Sequence, residues 1–136
     1  MAAAKVYLLP LAILWRGGGV LIRIAICDDE KHMSEHIRSF VSDFFRKKNR
    51  EISLRMFSSG EELLNYNGQI DILFLDIQMK AMDGMETARR LRADKFQGFL
   101  IFITVLKEMV FQSFEVQAYD YLVKPVEEKQ FERTME

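Results

Sequence analysis

Ile72-Leu73-Phe74-Leu75 runs without a polar residue and stops at Asp76. A strand that is apolar throughout, rather than alternating, belongs inside a parallel sheet with helices packed on both faces. Asp76 then stands at the carboxyl end of that strand, and in open α/β sheets the ligand crevice lies outside those ends. On position alone, a turn-capping role and a chemical role for this carboxylate are evenly matched.

The rest of the chain supplies the partners such a strand needs. Leu21 to Cys27 reads as a first strand, ending in Asp28-Asp29-Glu30. Met33, Ile37, Phe40, Val41 and Phe44 recur at helical spacing and predict a helix from about His32 to Lys48. A second strand spans Ile52 to Phe57, and Ser58-Ser59-Gly60-Glu61-Glu62 offers two overlapping Ser-x-x-Glu capping boxes for a short second helix. After the strand Asp71 to Leu75, Asp83 can cap a third helix with Met85, Ala88 and Leu91 inward and Arg89, Arg90 and Arg92 outward. Phe99 to Thr104, a helix from about Lys107 to Val116, Tyr119 to Val123 and a last helix from about Val126 to Glu136 complete the pattern. Five strands alternating with helices predict an α/β fold of (βα)5 type, a three-layer sandwich around a five-stranded parallel sheet.

With 136 residues there is room for one domain, and 49% hydrophobic against 29% charged is ordinary for a packed core. Nineteen Lys and Arg against twenty Asp and Glu give a formal charge of −1, so no overall positive field draws the chain to nucleic acid or a membrane surface. One cysteine, Cys27, cannot close an internal disulfide and forms no zinc framework; a reducing, cytoplasmic location is expected. Residues 1–20 do not fit the alternation. Lys5 precedes an apolar run from Val6 to Trp15 broken by Pro10, then Arg16 and three glycines. The run is short for a bilayer span, and no small-residue cleavage site follows it. The expectation is a non-native extension, with Arg16 to Gly19 a ribosome-binding tract read in frame, the biological start near Val20 to Ile22, and the domain proper over 21–136.

Placed on this scheme, the pair Asp28 and Asp29, then Asp76, Thr104 and Lys124, fall at the carboxyl ends of four different strands and should meet in one crevice. Carboxylates gathered there repel by roughly 1 kcal/mol per pair in water and more when desolvated, so they call for a cation. Mg2+ fits, since it accepts a few oxygens and keeps waters that a phosphate can replace. Lys124 adds a positive charge for the same phosphoryl group and Thr104 a hydroxyl, leaving Asp76 as the nucleophile that becomes an aspartyl phosphate.

The segments that carry these residues are Ile26-Cys27-Asp28-Asp29-Glu30, Leu73-Phe74-Leu75-Asp76-Ile77-Gln78-Met79, Met82-Asp83-Gly84-Met85-Glu86, Phe102-Ile103-Thr104 and Ala118-Tyr119-Asp120-Tyr121-Leu122-Val123-Lys124-Pro125. Together they resemble the receiver domains of bacterial two-component response regulators, from Ile22 to the end. The resemblance implies a flavodoxin-like fold with strand order 2-1-3-4-5. It implies that Asp76 takes its phosphoryl group from a sensor histidine kinase, and that Asp28, Asp29, Asp76 and the Gln78 backbone carbonyl hold Mg2+. It also implies that Lys124 contacts the phosphoryl group, that Thr104 moves toward it, that Tyr121 turns inward in response, and that the Lys124–Pro125 bond is cis. The face made by the fourth helix, fifth strand and last helix is then the expected surface for homodimerisation and output. Cys27-Asp28-Asp29-Glu30 and the stretch from Phe114 to Pro125 are similar to receivers that precede LytTR-type DNA-binding domains. Transcription would then be controlled through an output domain outside these residues. The chain is read as a self-phosphorylating acceptor with at most autophosphatase activity, not as an enzyme acting on external substrates.

Three departures from the family pattern stand out. Lys80 replaces a common proline and is expected to loosen the loop beside Asp76. Val105 follows Thr104 where a small residue is usual, and is expected to narrow access to the phosphoryl group. The apolar head is expected to hinder packing around the first strand. Competing readings are a phosphorylation-independent interaction module and an aspartate-dependent phosphohydrolase. The latter wants a second acid two residues beyond Asp76, where Gln78 stands. His32-Met33-Ser34-Glu35-His36 matches a zinc-protease pattern but brings no third ligand; the plainer reading is two exposed histidines near a helix start.

Overall fold

The computed structural model describes residues 10–16, 20–105, 112 and 114–136. Five parallel strands, β1 (Ile22–Cys27), β2 (Ile52–Phe57), β3 (Ile72–Asp76), β4 (Phe99–Thr104) and β5 (Asp120–Val123), lie in the order β2-β1-β3-β4-β5. This is the flavodoxin-like order that the resemblance implied. The central strand β3 is buried at every position, as its unbroken apolar run requires.

Alternation along each strand divides the core in two. Ile24, Ile26, Phe74 and Ile103 face helix α1 (Lys31–Lys47) and the C-terminal helix (Glu128–Met135), meeting Ile37, Val41, Phe45 and Phe131. Phe131 stacks on Phe74 with ring centroids 5.8 Å apart, fixing the C-terminal helix over the middle of the sheet. Ala25, Cys27, Leu73, Leu75 and Phe102 face the other way, toward Leu63 of α2 (Gly60–Leu64) and Met85 and Ala88 of α3 (Gly84–Ala93). Each fully buried Leu, Ile or Phe contributes about 1.5–3 kcal/mol relative to exposure, so both layers are held by ordinary apolar burial.

The helix starts follow their local chemistry. Of the two overlapping capping boxes the chain uses the second: Ser59 is the N-cap and accepts from the Glu62 N–H at 3.0 Å, while the Glu62 carboxylate reaches back to the Ser58 N–H at 2.8 Å. Asp83 caps α3 by accepting from the Glu86 N–H at 2.9 Å. Arg89 and Arg90 are exposed as expected, but Arg92 is not. Its guanidinium turns in and donates to the carbonyls of Phe96, Gly98, Val116 and Gln117, because a five-donor fork can satisfy several unpaired carbonyls at once. The helix expected from Lys107 to Val116 lies largely outside the described residues; its end, Phe114–Val116, is a 3-10 turn.

The described part of the apolar head packs onto the core. Leu11 is fully buried, and its N–H donates to the Tyr119 hydroxyl at 2.9 Å. Ile13–Arg16 forms a helical turn, and Trp15 packs edge-on against Phe44 and Phe45. Arg50 donates to the carbonyls of Trp15 and Val20. No helix among the described residues is long and apolar enough to cross a membrane.

Candidate functional site

Strand ends build the crevice. β1 delivers Asp28 and Asp29, β3 ends on Asp76, β4 ends on Thr104, and Lys124 follows β5. Carboxylate oxygens of Asp28, Asp29 and Asp76 lie within 4.8 Å of one another, the spacing of a cation site. Asp28, Asp76 and Thr104 are each at most 3% exposed, whereas Asp29 is open to solvent. Lys124 Nζ stands 3.2 Å from Asp76 Oδ1 and 3.4 Å from Asp28 Oδ2, so one ammonium faces two buried carboxylates.

The hydrogen bonds show which oxygens are committed. Asp28 Oδ1 accepts from the Glu30 N–H at 2.9 Å, Asp29 Oδ2 from the Lys80 N–H at 2.9 Å, and Asp76 Oδ1 from the Gln78 N–H at 3.3 Å. Asp28 Oδ2 is buried and makes no hydrogen bond; among the described residues its one close cation is the Lys124 ammonium at 3.4 Å, which it shares with Asp76. A buried carboxylate oxygen in that state is costly unless a cation completes it. The donor set is all oxygen, the kind a hard divalent ion such as Mg2+ accepts.

Electrostatics point the same way. Burial, and then the Asp28 carboxylate, push the Asp76 carboxyl up from 3.8 to about 7, against the opposing pull of Lys124. Burial by itself would lower Lys124, but the charges of Asp76 and Asp28 outweigh it and its pKa is raised. Beneath the site, burial followed by the Asp28 and Asp76 charges pushes the Cys27 thiol up to about 12, so it is an inert apolar neighbour.

The loop after β3 is pinned to the strand it leaves. The Gly84 N–H donates to the Ile77 carbonyl at 2.8 Å. A Cβ at Gly84 would come 2.1 Å from the Asp76 carbonyl oxygen, so only glycine lets α3 start this close to Asp76. The Lys124–Pro125 bond is cis. Tyr121 is half-buried and pairs with Phe102 on the neighbouring strand; two residues on, Val123 pairs with Thr104. Strand alternation therefore puts Tyr121 and Thr104 on one face of the sheet, diagonal neighbours rather than members of the carboxylate cluster. The Gln78 side chain is exposed.

The crevice thus gathers Asp28, Asp29, Asp76 and Lys124 and sets Thr104 at its edge. His32 and His36 do not join a group of possible ligands among the described residues. His36 Nε2 instead lies 3.1 Å from the Val126 carbonyl, with its ring against Phe40. Two contributors escaped sequence reasoning. The Lys80 N–H carries no residue-type signature, and the close approach at Gly84 was signalled only by a glycine directly after a helix cap.

Residues 24–136 match the family model described as the response regulator receiver domain. The transcriptional regulatory protein BtsR of Escherichia coli K12 is 31% identical over 116 residues, covering 85% of this chain and 47% of that protein. The sensory transduction protein LytT of Oceanobacillus iheyensis is 32% identical over 119 residues, covering 84% and 46%. The chain therefore spans about half the length of these curated relatives. Among solved structures, the response regulatory domain of protein mrkE from Klebsiella pneumoniae superposes with a TM-score of 0.73 at 24% identity, over 84% of this chain and 92% of that one, a likeness of fold.

Proposed function

The chain belongs to the response regulator receiver domain family, and from that premise we propose that Asp76 is its phosphoryl acceptor, with a sensor histidine kinase as donor. The observation that carries the reading is the buried Asp76 carboxylate with Lys124 Nζ at 3.2 Å beside an Asp28 oxygen that has no hydrogen bond. In the transfer, an Asp76 oxygen forms a bond to phosphorus as the bond from phosphorus to the donor's imidazole nitrogen breaks, and that nitrogen takes the electron pair. Asp76 must be ionised to attack, and Lys124 favours that form. The ammonium also faces the negative charge that grows on the phosphoryl oxygens. Thr104 supplies a hydroxyl at the crevice edge.

Asp28, Asp29, Asp76 and the Gln78 backbone carbonyl are the residues that would hold Mg2+. When bound, the ion neutralises the carboxylates and the phosphoryl oxygens. An acyl phosphate adds about −1.5 to −2 charges and three acceptor oxygens, giving Thr104 and Lys124 a new partner. Movement of Thr104 opens room on the face it shares with Tyr121, and an inward turn of Tyr121 reshapes the surface around β5 and the C-terminal helix. That surface is the site of homodimerisation and output, and in a longer cytoplasmic protein the output is control of transcription.

The test is incubation with Mg2+ and a small phosphodonor such as acetyl phosphate, read by intact mass. We expect the gain of one phosphoryl group in the wild type and none in Asp76→Asn. No gain in the wild type at any donor concentration would favour an interaction module that works without phosphorylation.

A further inference from the structure

Of the three clustered aspartates, Asp29 alone is exposed, and an exposed carboxylate ordinarily samples several rotamers. Here it does not have that freedom. The Lys80 backbone N–H donates to Asp29 Oδ2 at 2.9 Å, across fifty-one positions of sequence. A proline nitrogen has no hydrogen to donate, so this bond exists only because position 80 is not proline. The loop that presents it is fixed on both sides: the Gly84 N–H holds the Ile77 carbonyl, Asp83 caps α3, and Ala81 turns the backbone at a φ of 59°.

We propose that the Lys80 N–H is a positioning group for the divalent cation. It holds the one exposed carboxylate of the cluster in its ligating orientation and makes this receiver bind Mg2+ more tightly than the same chain with proline at position 80. The bond takes one lone pair of Oδ2 and leaves Oδ1 free to ligate. Partners behind a metal ligand commonly change metal affinity by about 10- to 100-fold, because they fix the ligand's orientation before the ion arrives. The position expected to loosen the loop thus ties it to β1. The proposal rests on the reading of the aspartates as a Mg2+ site.

Mg2+ titration by calorimetry, with no phosphodonor present, gives a readout independent of phosphorylation. Lys80→Pro, which deletes the N–H, should weaken Mg2+ binding about tenfold. Lys80→Ala, which keeps the N–H and removes the side-chain charge, should stay within about twofold of wild type or bind slightly tighter. Wild type and Lys80→Pro binding equally well would overturn the positioning role alone; a wild type that binds no Mg2+ would overturn the metal reading and the proposal with it. Hydrogen exchange of the Lys80 amide in the metal-free protein tests the bond without relying on the proline variant to fold. The amide should be protected in wild type and exchange at least about tenfold faster in Asp29→Ala. Equal exchange in the two would also overturn the proposal.

Discussion

At the amino end of the sheet, Leu11, Trp15, Phe44, Phe45 and Tyr119 close over the strands with apolar surface, and Arg50 and the Tyr119 hydroxyl satisfy the backbone that arrives there. At the carboxyl end the same strands terminate in Asp28, Asp29, Asp76 and Thr104, with one lysine reaching in and one buried carboxylate oxygen lacking a hydrogen bond. One end is closed by apolar packing, and the other gathers three carboxylates around a single lysine. A parallel sheet makes this separation possible, since all its strands present the same end to the same side.

If the amino end is a true part of the core, Leu11→Ala should lower unfolding free energy by about 2–5 kcal/mol in chemical denaturation, while leaving Mg2+ affinity unchanged. An unchanged midpoint would mean that the head does not belong to the core.

The carboxyl end should respond in the opposite direction. The folded Asp76 carboxyl releases its proton near pH 7 and the unfolded one near 3.8, so between those values the folded state holds the extra proton. Stability in chelator must then fall as pH rises from about 4 to about 7. Asp76→Asn should flatten that slope and stabilise the metal-free protein at neutral pH, on the order of 2 kcal/mol. A slope that persists unchanged in Asp76→Asn would place the pH-sensitive group elsewhere.

Gly84→Ala joins the crevice to its scaffold. The added methyl meets the Asp76 carbonyl oxygen, so α3 must shift, at about 1–3 kcal/mol, and phosphorylation of Asp76 should slow with it. Normal stability together with a normal rate would show that the backbone there can yield without cost.

The smallest expected effect on stability is at Val105, which is 52% exposed. Val105→Ala should change stability by no more than about 0.5 kcal/mol, yet speed phosphoryl transfer or hydrolysis if the branched side chain narrows the way to Asp76. Equal rates in the two proteins would remove Val105 as a barrier.

Much of this was legible from residue types. The unbroken apolar run before Asp76 required a strand covered on both faces, and the repeated change from strand period to helix period set the layers. The acids, Thr104 and Lys124 were each placed by lying just past an apolar run. Arg92 was misread because helical spacing says which side of its own helix a residue takes, but not that carbonyls of Gly98 and Val116 wait beside it. The packing of Leu11 and Trp15 was not legible for a similar reason: a short apolar run does not announce the groove it fills.

By itself, then, the sequence determined the strands, the helices that follow the first three of them and the set of charged residues that the strand ends carry, because periodicity and composition act locally along the chain. Only the tertiary structure decided that Leu11 seals the amino end, that Arg92 turns inward, and that the Lys80 N–H meets Asp29. Those contacts join positions far apart in sequence, and several use backbone groups that nearly every residue possesses.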